Sequence, residues 1–177
     1  FSGRIYKEAN RLGNLVADII QLSRLDEQQD STVSMESVEL DELAQDVVNN
    51  LRSHAEKKEI LLDYHGEPAT IQGVRHVLYE MLYNIADNAV RYTNPGGHIH
   101  IYVGKRGGKP FYRVEDDGIG IPKSEQKRIF ERFYRVDKGR SRKQGGTGLG
   151  LSIVKHIVNF YHGSVKVESE VGKGSTF

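Results

Sequence analysis

His98-Ile99-His100-Ile101-Tyr102-Val103, then Gly107-Gly108-Lys109-Pro110, then Phe111-Tyr112-Arg113-Val114-Glu115 is the stretch on which the fold turns. Polar and apolar residues alternate through the first run, which predicts a half-buried strand. The glycines and proline predict a turn, and the second run returns as the hairpin mate. Just before it, a helix is predicted from about Arg75 to Tyr92, ended by Thr93-Asn94-Pro95-Gly96-Gly97. Further out, Leu40, Leu43, Ala44, Val47, Val48 and Leu51 mark an amphipathic helix, and Ile60 to Tyr64 and Ala69 to Gln72 read as short strands around a turn at Gly66. On the other side, a helix is predicted from about Leu149 to Tyr161 with Gly163 placed to cap it, followed by strands at Ser164 to Glu170 and Ser175 to Phe177. Strand hairpins with intervening helices imply an α+β fold: a two-layer α/β sandwich, a mixed sheet with helices on one face.

The chain has 177 residues, enough for one ordinary domain plus a modest attachment, and its 37% hydrophobic content can fill one sizeable core. Its formal net charge of +1 argues against a partner bound through a whole-surface positive field, so no nucleic acid is expected. With no cysteine, disulfide frames and thiolate zinc sites are excluded. The apolar runs fall far short of the roughly 20 residues that cross a bilayer. The chain opens on Phe1 and stops after Gly174-Ser175-Thr176 at Phe177, in a segment that reads as extended; the expectation is a fragment of a longer protein.

From Phe1 to about Glu27, Ile5, Leu12 and Ile19 recur seven apart, with Leu15 and Leu22 interleaved and Ala9, Val16 and Ile20 widening the stripe. Such a helix cannot bury its apolar face alone, so it needs a partner. A dimeric four-helix bundle is one solution, and an ordinary terminal helix lying on its own domain is the other. Asp26 to Ser34 is polar and reads as a linker, which sets the expected division: 1–34 a partial dimerisation helix and linker, 35–177 the main domain.

Three stretches carry chemistry. Asn84 and Asn88 are four apart, so their amides share one helix face, which Arg91 and Tyr92 continue. Amide oxygens can ligate Mg²⁺ and an arginine can neutralise phosphate, although such a pair alone also suits an exposed or capping face. In Val114-Glu115-Asp116-Asp117-Gly118-Ile119-Gly120-Ile121-Pro122, a strand delivers a carboxylate, and the glycines let another group approach the backbone. Asp116 suits an exocyclic amine such as that of adenine; a plain acidic turn is the alternative. Finally, Gly145-Gly146-Thr147-Gly148-Leu149-Gly150-Leu151 runs into an apolar helix, where backbone amides and the helix dipole can hold phosphate. It is neither the dinucleotide fingerprint nor a P-loop.

Together, in this order, and joined by a basic segment containing Ile129-Phe130-Glu131-Arg132-Phe133-Tyr134-Arg135, these stretches resemble the ATP-binding domain of bacterial sensor histidine kinases over about 38–177. The resemblance implies Asn84 and Asn88 at Mg²⁺ and phosphate, Arg91 and Tyr92 against nucleotide, and Asp116 on the adenine amine in a pocket shaped by Gly118, Gly120 and Ile121. It implies a lid with the aromatic pair Phe130 and Phe133 and with Tyr134 and Arg135 facing nucleotide. Gly146, Thr147, Gly148, Leu149 and Gly150 would form the phosphate loop, with Asn84, Arg91 and Arg135 serving the transfer itself. The N-terminal helix is similar to the second helix of the family's dimerisation hairpin. A short helix is expected near Ser124 to Phe133 within the lid region, and Arg140, Arg142 and Lys143 receive no role. Gly73-Val74 departs from the family's usual Gly-Asp.

The activity so implied is that of an ATP-dependent protein-histidine kinase using ATP and Mg²⁺. The acceptor is a histidine outside this chain, the partners are a second copy and a response-regulator receiver domain, and the setting is a cytoplasmic domain of a membrane-anchored sensor. The seven histidines here read as structural or surface residues. The alternative is an ATPase or protein-serine kinase with the same pocket. Related ATPases place a glutamate one turn before the metal asparagine, and here that position is Asn84, whose amide is a poor general base.

Overall fold

The computed structural model describes residues 35–137 and 146–177, and ten positions of the N-terminal segment (Tyr6, Ala9, Asn10, Gly13, Val16, Ala17, Ile20, Ser23, Arg24 and Glu27). Those ten are helical and exposed. The heptad positions Ile5, Leu12, Leu15, Ile19 and Leu22, most of the expected linker, and Arg140, Arg142, Lys143 and Gly145 lie outside the described residues.

The elements are β1 (Glu36–Glu39), α1 (Leu40–Lys57), β2 (Leu61–Gly66), β3 (Thr70–Gly73), α2 (Arg75–Tyr92), β4 (His98–Arg106), β5 (Lys109–Asp116), α3 (Gly150–Phe160), β6 (Glu168–Glu170) and β7 (Gly174–Thr176). Five strands form one sheet in the order β2-β4-β5-β7-β6, and β1 and β3 form a separate antiparallel pair. Within the larger sheet β2 and β4 are parallel and every other pairing is antiparallel. A parallel pair needs a crossover connection, and the chain makes it through β3 and α2. The sheet is therefore mixed, and the helices cover one face of it in a two-layer α+β sandwich.

Periodicity explains the layers. Leu43, Val47, Leu51 and Ala55 of α1 and Leu78, Leu82, Ile85 and Ala89 of α2 recur every three or four residues and are buried against Ile99, Ile101 and Val103 of β4. A second cluster, Val77 with Leu149, Ile153 and Ile157, joins α2 to α3. On the sheet, Ile99, Ile101 and Val103 point inward and alternate with His98, His100 and Tyr102. The register Ile101↔Val114 and Ile99↔Asp116 puts Asp116 on the inward parity of β5, at the edge of the core.

Several boundaries differ from expectation. β4 continues to Arg106 and β5 begins at Lys109, because Gly107 and Gly108 both adopt left-handed φ (58° and 75°) and close the hairpin in two residues. The expected helix at Ser124 to Phe133 is instead a chain of turns with one 3₁₀ turn at Arg128–Phe130. The Gln126 side chain anchors this segment to its surroundings, donating to the carbonyls of Ile121 (3.0 Å) and Ser169 (2.9 Å). The strand expected over Ser164 to Glu170 shrinks to β6, the part that has β7 to pair with. β1 was not expected at all. With four residues it is too short to show a period, and it exists because Val38 pairs with Ile71.

Candidate nucleotide-binding site

The polar face of α2, the turn after β5 and the entry to α3 meet at one end of the sandwich around a cavity of about 550 Å³. Of the residues expected to serve the site, Asn84, Asn88, Arg91, Tyr92, Asp116, Gly120, Ile121, Tyr134, Arg135, Gly146, Thr147, Gly148 and Gly150 line it. Gly118 and Leu149 do not. Leu149 is fully buried in the α2–α3 cluster, so it anchors the loop rather than facing the cavity. Gly118 is packed so closely that a Cβ would strike the Tyr92 carbonyl.

On α2, the Asn84 amide nitrogen donates to the Glu80 carbonyl at 2.8 Å. Its oxygen is thereby turned toward the start of α3, and a Cβ on Gly150 would lie only 3.2 Å from it. One turn further on, Arg91 Nε donates to Asp87 Oδ2 at 2.6 Å. Where the helix ends, the Tyr92 carbonyl accepts from Ile119 N–H (3.2 Å), tying α2 to the turn after β5.

In that turn Asp116 Oδ1 accepts from Gly118 N–H at 2.9 Å. Burial pushes the Asp116 carboxyl above its ordinary value, aided by the charge of Asp117 and opposed by backbone N–H groups of Gly118 and Ser175. Its neighbour on the outward parity behaves oppositely. Burial also pushes Asp117 up, but the backbone N–H of His98 (2.8 Å) and the His98 ring (3.1 Å) outweigh it and hold Asp117 below the ordinary value. Gly120 adopts φ 72°, and a Cβ there would run into the Glu170 backbone carbonyl, so the turn lies flat on the β6–β7 hairpin.

The entry to α3 begins with Gly148 at φ 80°, whose carbonyl accepts from Phe133 N–H at 2.9 Å. Thr147 Oγ1 accepts from Leu149 N–H at 3.3 Å. The two phenylalanines of the expected lid separate: Phe130 packs edge-on against Phe177 with ring centroids 6.3 Å apart, while Phe133, itself at φ 62°, is exposed. Arg128 lies 4.2 Å over the ring of Tyr134, which lines the cavity.

Residues not singled out in the sequence also shape the site. Ile119, Pro122, Ile129, Leu151, Val171 and Phe177 supply apolar wall, and Glu80, Tyr83 and Asp87 extend the polar rim along α2. The rim was legible as helix positions 80, 83 and 87, one turn apart from Asn84, Asn88 and Arg91. Ser169 carried no such signal, yet its hydroxyl accepts from Ile121 N–H (2.7 Å) and donates to the Gly174 carbonyl (2.8 Å), binding the turn to the last hairpin. Among the described residues no cluster of histidine, aspartate and glutamate has the geometry of a metal site, and no helix is long and apolar enough to cross a membrane.

A mixed sheet covered on one face by helices, with one end opened into a cavity lined by paired asparagines, the turn after β5 and a glycine-rich helix entry, defines a two-layer α/β sandwich with a candidate nucleotide site. Residues 73–177 match the histidine kinase-, DNA gyrase B- and HSP90-like ATPases, and the chain belongs to that family. Its relatives there are sensor histidine kinases. SenX3 of Mycolicibacterium smegmatis, described as a sensor-like histidine kinase, is 36% identical over 178 residues, covering 100% of this chain and 46% of SenX3. The sensor histidine kinase RppB of Synechocystis is 38% identical, covering 98% of this chain and 38% of RppB. The chain thus spans less than half the length of these relatives. Among solved structures, full-length ShkA in complex with AMPPNP superposes with a TM-score of 0.80 at 29% identity, covering 96% of this chain and 35% of ShkA. The mycobacterial sensor histidine kinase MprB superposes with a TM-score of 0.70 at 26% identity, covering 80% of this chain and 93% of that one.

Proposed function

We propose that this chain is the ATP-binding part of a sensor histidine kinase that transfers the γ-phosphoryl group of Mg-ATP to a histidine on a helix outside the chain, for relay to a response regulator. The observation that carries the reading is the single cavity shared by Asn84, Asn88, Arg91, Asp116, Gly146 and Gly148.

The donor set fits the ligand. Asp116 accepts from the backbone N–H groups of Gly118 and Ser175, and the remaining lone pairs of its carboxylate suit an amine from a purine edge. The apolar wall from Ile119 to Phe177 suits the purine faces. Gly146 to Gly150 offers backbone amides at a helix start for phosphate oxygens. Asn84 and Asn88 would hold Mg²⁺, which supplies neutralisation of the phosphate charge.

What remains for the protein is positioning and electrostatics. Asn84 has its amide nitrogen committed to the helix, and an amide takes up no proton at neutral pH. Water at this position is therefore not activated, and the phosphoryl donor persists until an imidazole arrives. That disfavours the ATPase reading. Arg91 and Arg135, both at the cavity, would bear on the phosphates. We further propose that 1–34 is the dimerisation helix and linker, 35–177 the ATP-binding domain, and that the whole protein works as a homodimer in a membrane-anchored sensor.

The test supplies a separate helical hairpin bearing the phosphoacceptor histidine, together with ATP labelled on the γ-phosphate. Acid-labile label on that histidine is expected, with release of inorganic phosphate much slower than labelling. Rapid phosphate release without labelling would favour the ATPase, and acid-stable label on serine the protein-serine kinase.

A further inference from the structure

The C-terminal end of α2 brings Arg91 and Tyr92 to the cavity, and a helix end is a difficult place for an anionic ligand. Its last carbonyls lack partners within the helix, and they form the negative pole of a dipole equivalent to about half a charge. Here every one of them is taken. Thr93 N–H donates to Ala89, Ile119 N–H to Tyr92, and the Lys58 ammonium donates to the carbonyls of Val90 (2.7 Å), Arg91 (3.0 Å) and Thr93 (2.8 Å). An ammonium has three N–H bonds, and all are spent on this terminus.

Lys58 is itself fixed. It caps α1 through its own N–H to the Ala55 carbonyl (3.1 Å), its carbonyl accepts from Gly96 N–H (3.2 Å), and Glu59 turns the chain away at φ 56°. The end of α1, the end of α2 and the approach to β4 are thus one joint with a positive charge at its centre. Lys58 is not among the residues lining the cavity, so it reaches a ligand only through α2. The carbonyl it passes over, that of Tyr92, is the one that holds the Asp116–Gly120 turn.

We propose that Lys58 is a positioning residue for the nucleotide site: it fixes the last turn of α2, and with it Arg91, Tyr92 and the Tyr92–Ile119 tie that holds the Asp116–Gly120 turn, and it neutralises the negative pole of the helix end that carries Arg91. The assignment to phosphate rests on the function proposed above. Burial pulls Lys58 below the ordinary lysine pKa, a cost that the three acceptors offset.

Two measurements on the full chain separate the parts of this inference. In binding titrations, Lys58→Met is expected to weaken Mg-ATP tenfold or more and adenosine, used as a competitor and held by the same turn, several-fold less, and Lys58→Arg to recover most of the loss. Equal weakening of ATP and adenosine, or no recovery with arginine, would overturn the electrostatic role. In hydrogen exchange without nucleotide, the Thr93 and Ile119 amides are expected to lose at least tenfold of their protection in Lys58→Met but not in Lys58→Arg; unchanged protection would overturn the positioning role. If Lys58→Met does not fold, Lys58→Gln, which keeps donors without the charge, takes its place. A wild-type chain that binds no ATP would sink the proposed function, yet the exchange experiment would still decide the role of Lys58 on α2.

Discussion

Parity along β5 decides the chemistry of two adjacent carboxylates. Tyr112, Val114 and Asp116 point inward and Arg113, Glu115 and Asp117 outward, so Asp116 loses water where Asp117 keeps it. Asp116→Asn is expected to weaken ATP binding roughly thirtyfold, about 2 kcal/mol, since an amide presents a donor where the adenine amine needs an acceptor. Because its folded pKa is raised above the ordinary 3.8, the folded state holds the proton more tightly than the unfolded chain between those two values. Stability from this group therefore falls as pH rises through that window, and at neutral pH Asp116→Asn should leave the melting temperature unchanged or higher. For binding the sign is opposite: affinity should drop as the solution is acidified toward the raised pKa, and the variant should lose that pH dependence. A titration series with calorimetry checks both, and a variant that melts lower and binds unchanged would contradict the assignment. Gly120→Ala, forced into left-handed φ with its methyl against the Glu170 carbonyl, should cost about 2 kcal/mol or more and lower the melting temperature by roughly 5 °C.

Elements differ in how far their residues announce them. α2 was legible from end to end, since its apolar positions keep helical spacing and Thr93 to Gly97 stops it, and the same arithmetic put Asn84, Asn88 and Arg91 on one face. The β4–β5 hairpin was legible through strict alternation. Opaque parts were those held by distant partners: β1 depends on β3, the turns at Ser124 to Phe133 depend on Gln126 reaching Ile121 and Ser169, and Leu149 was read for its place in a glycine-rich loop although packing claims it for the core. Neither Lys58 nor Ser169 could be found from spacing, because each joins elements far apart in the chain. Ser169→Ala would leave Ile121 N–H without its acceptor and release the Gly174 carbonyl; a loss of about 1–3 kcal/mol in urea unfolding is expected. The resemblance to histidine kinases proposed roles for residues that composition and period could only offer as alternatives, and most of those residues line one cavity.

At the scale of the molecule the proposed ligand is also a reporter of folding. ATP at a hundred times its dissociation constant should add about 2.7 kcal/mol of stability, raising the melting temperature by roughly 5–10 °C. Adenosine triphosphate that left the thermal transition unmoved would contradict the shared cavity as its site. The N-terminal segment makes a separate expectation: the full chain should sediment as a dimer and a chain of residues 35–177 as a monomer, and a monomeric full chain would count against the dimerisation helix.

The bond from Phe133 N–H to the Gly148 carbonyl closes a stem, and whatever lies between its two sides is, for the polymer, an insert with its ends already joined. The entropy of closing a loop of chain grows only logarithmically with its length, about 0.6 kcal/mol for each doubling. Tyr134 and Arg135 lead out of that stem and Gly146 and Thr147 lead back into it, all four at the cavity, so a change of length between Asp137 and Gly146 should register in nucleotide binding well before it registers in the melting of the sandwich.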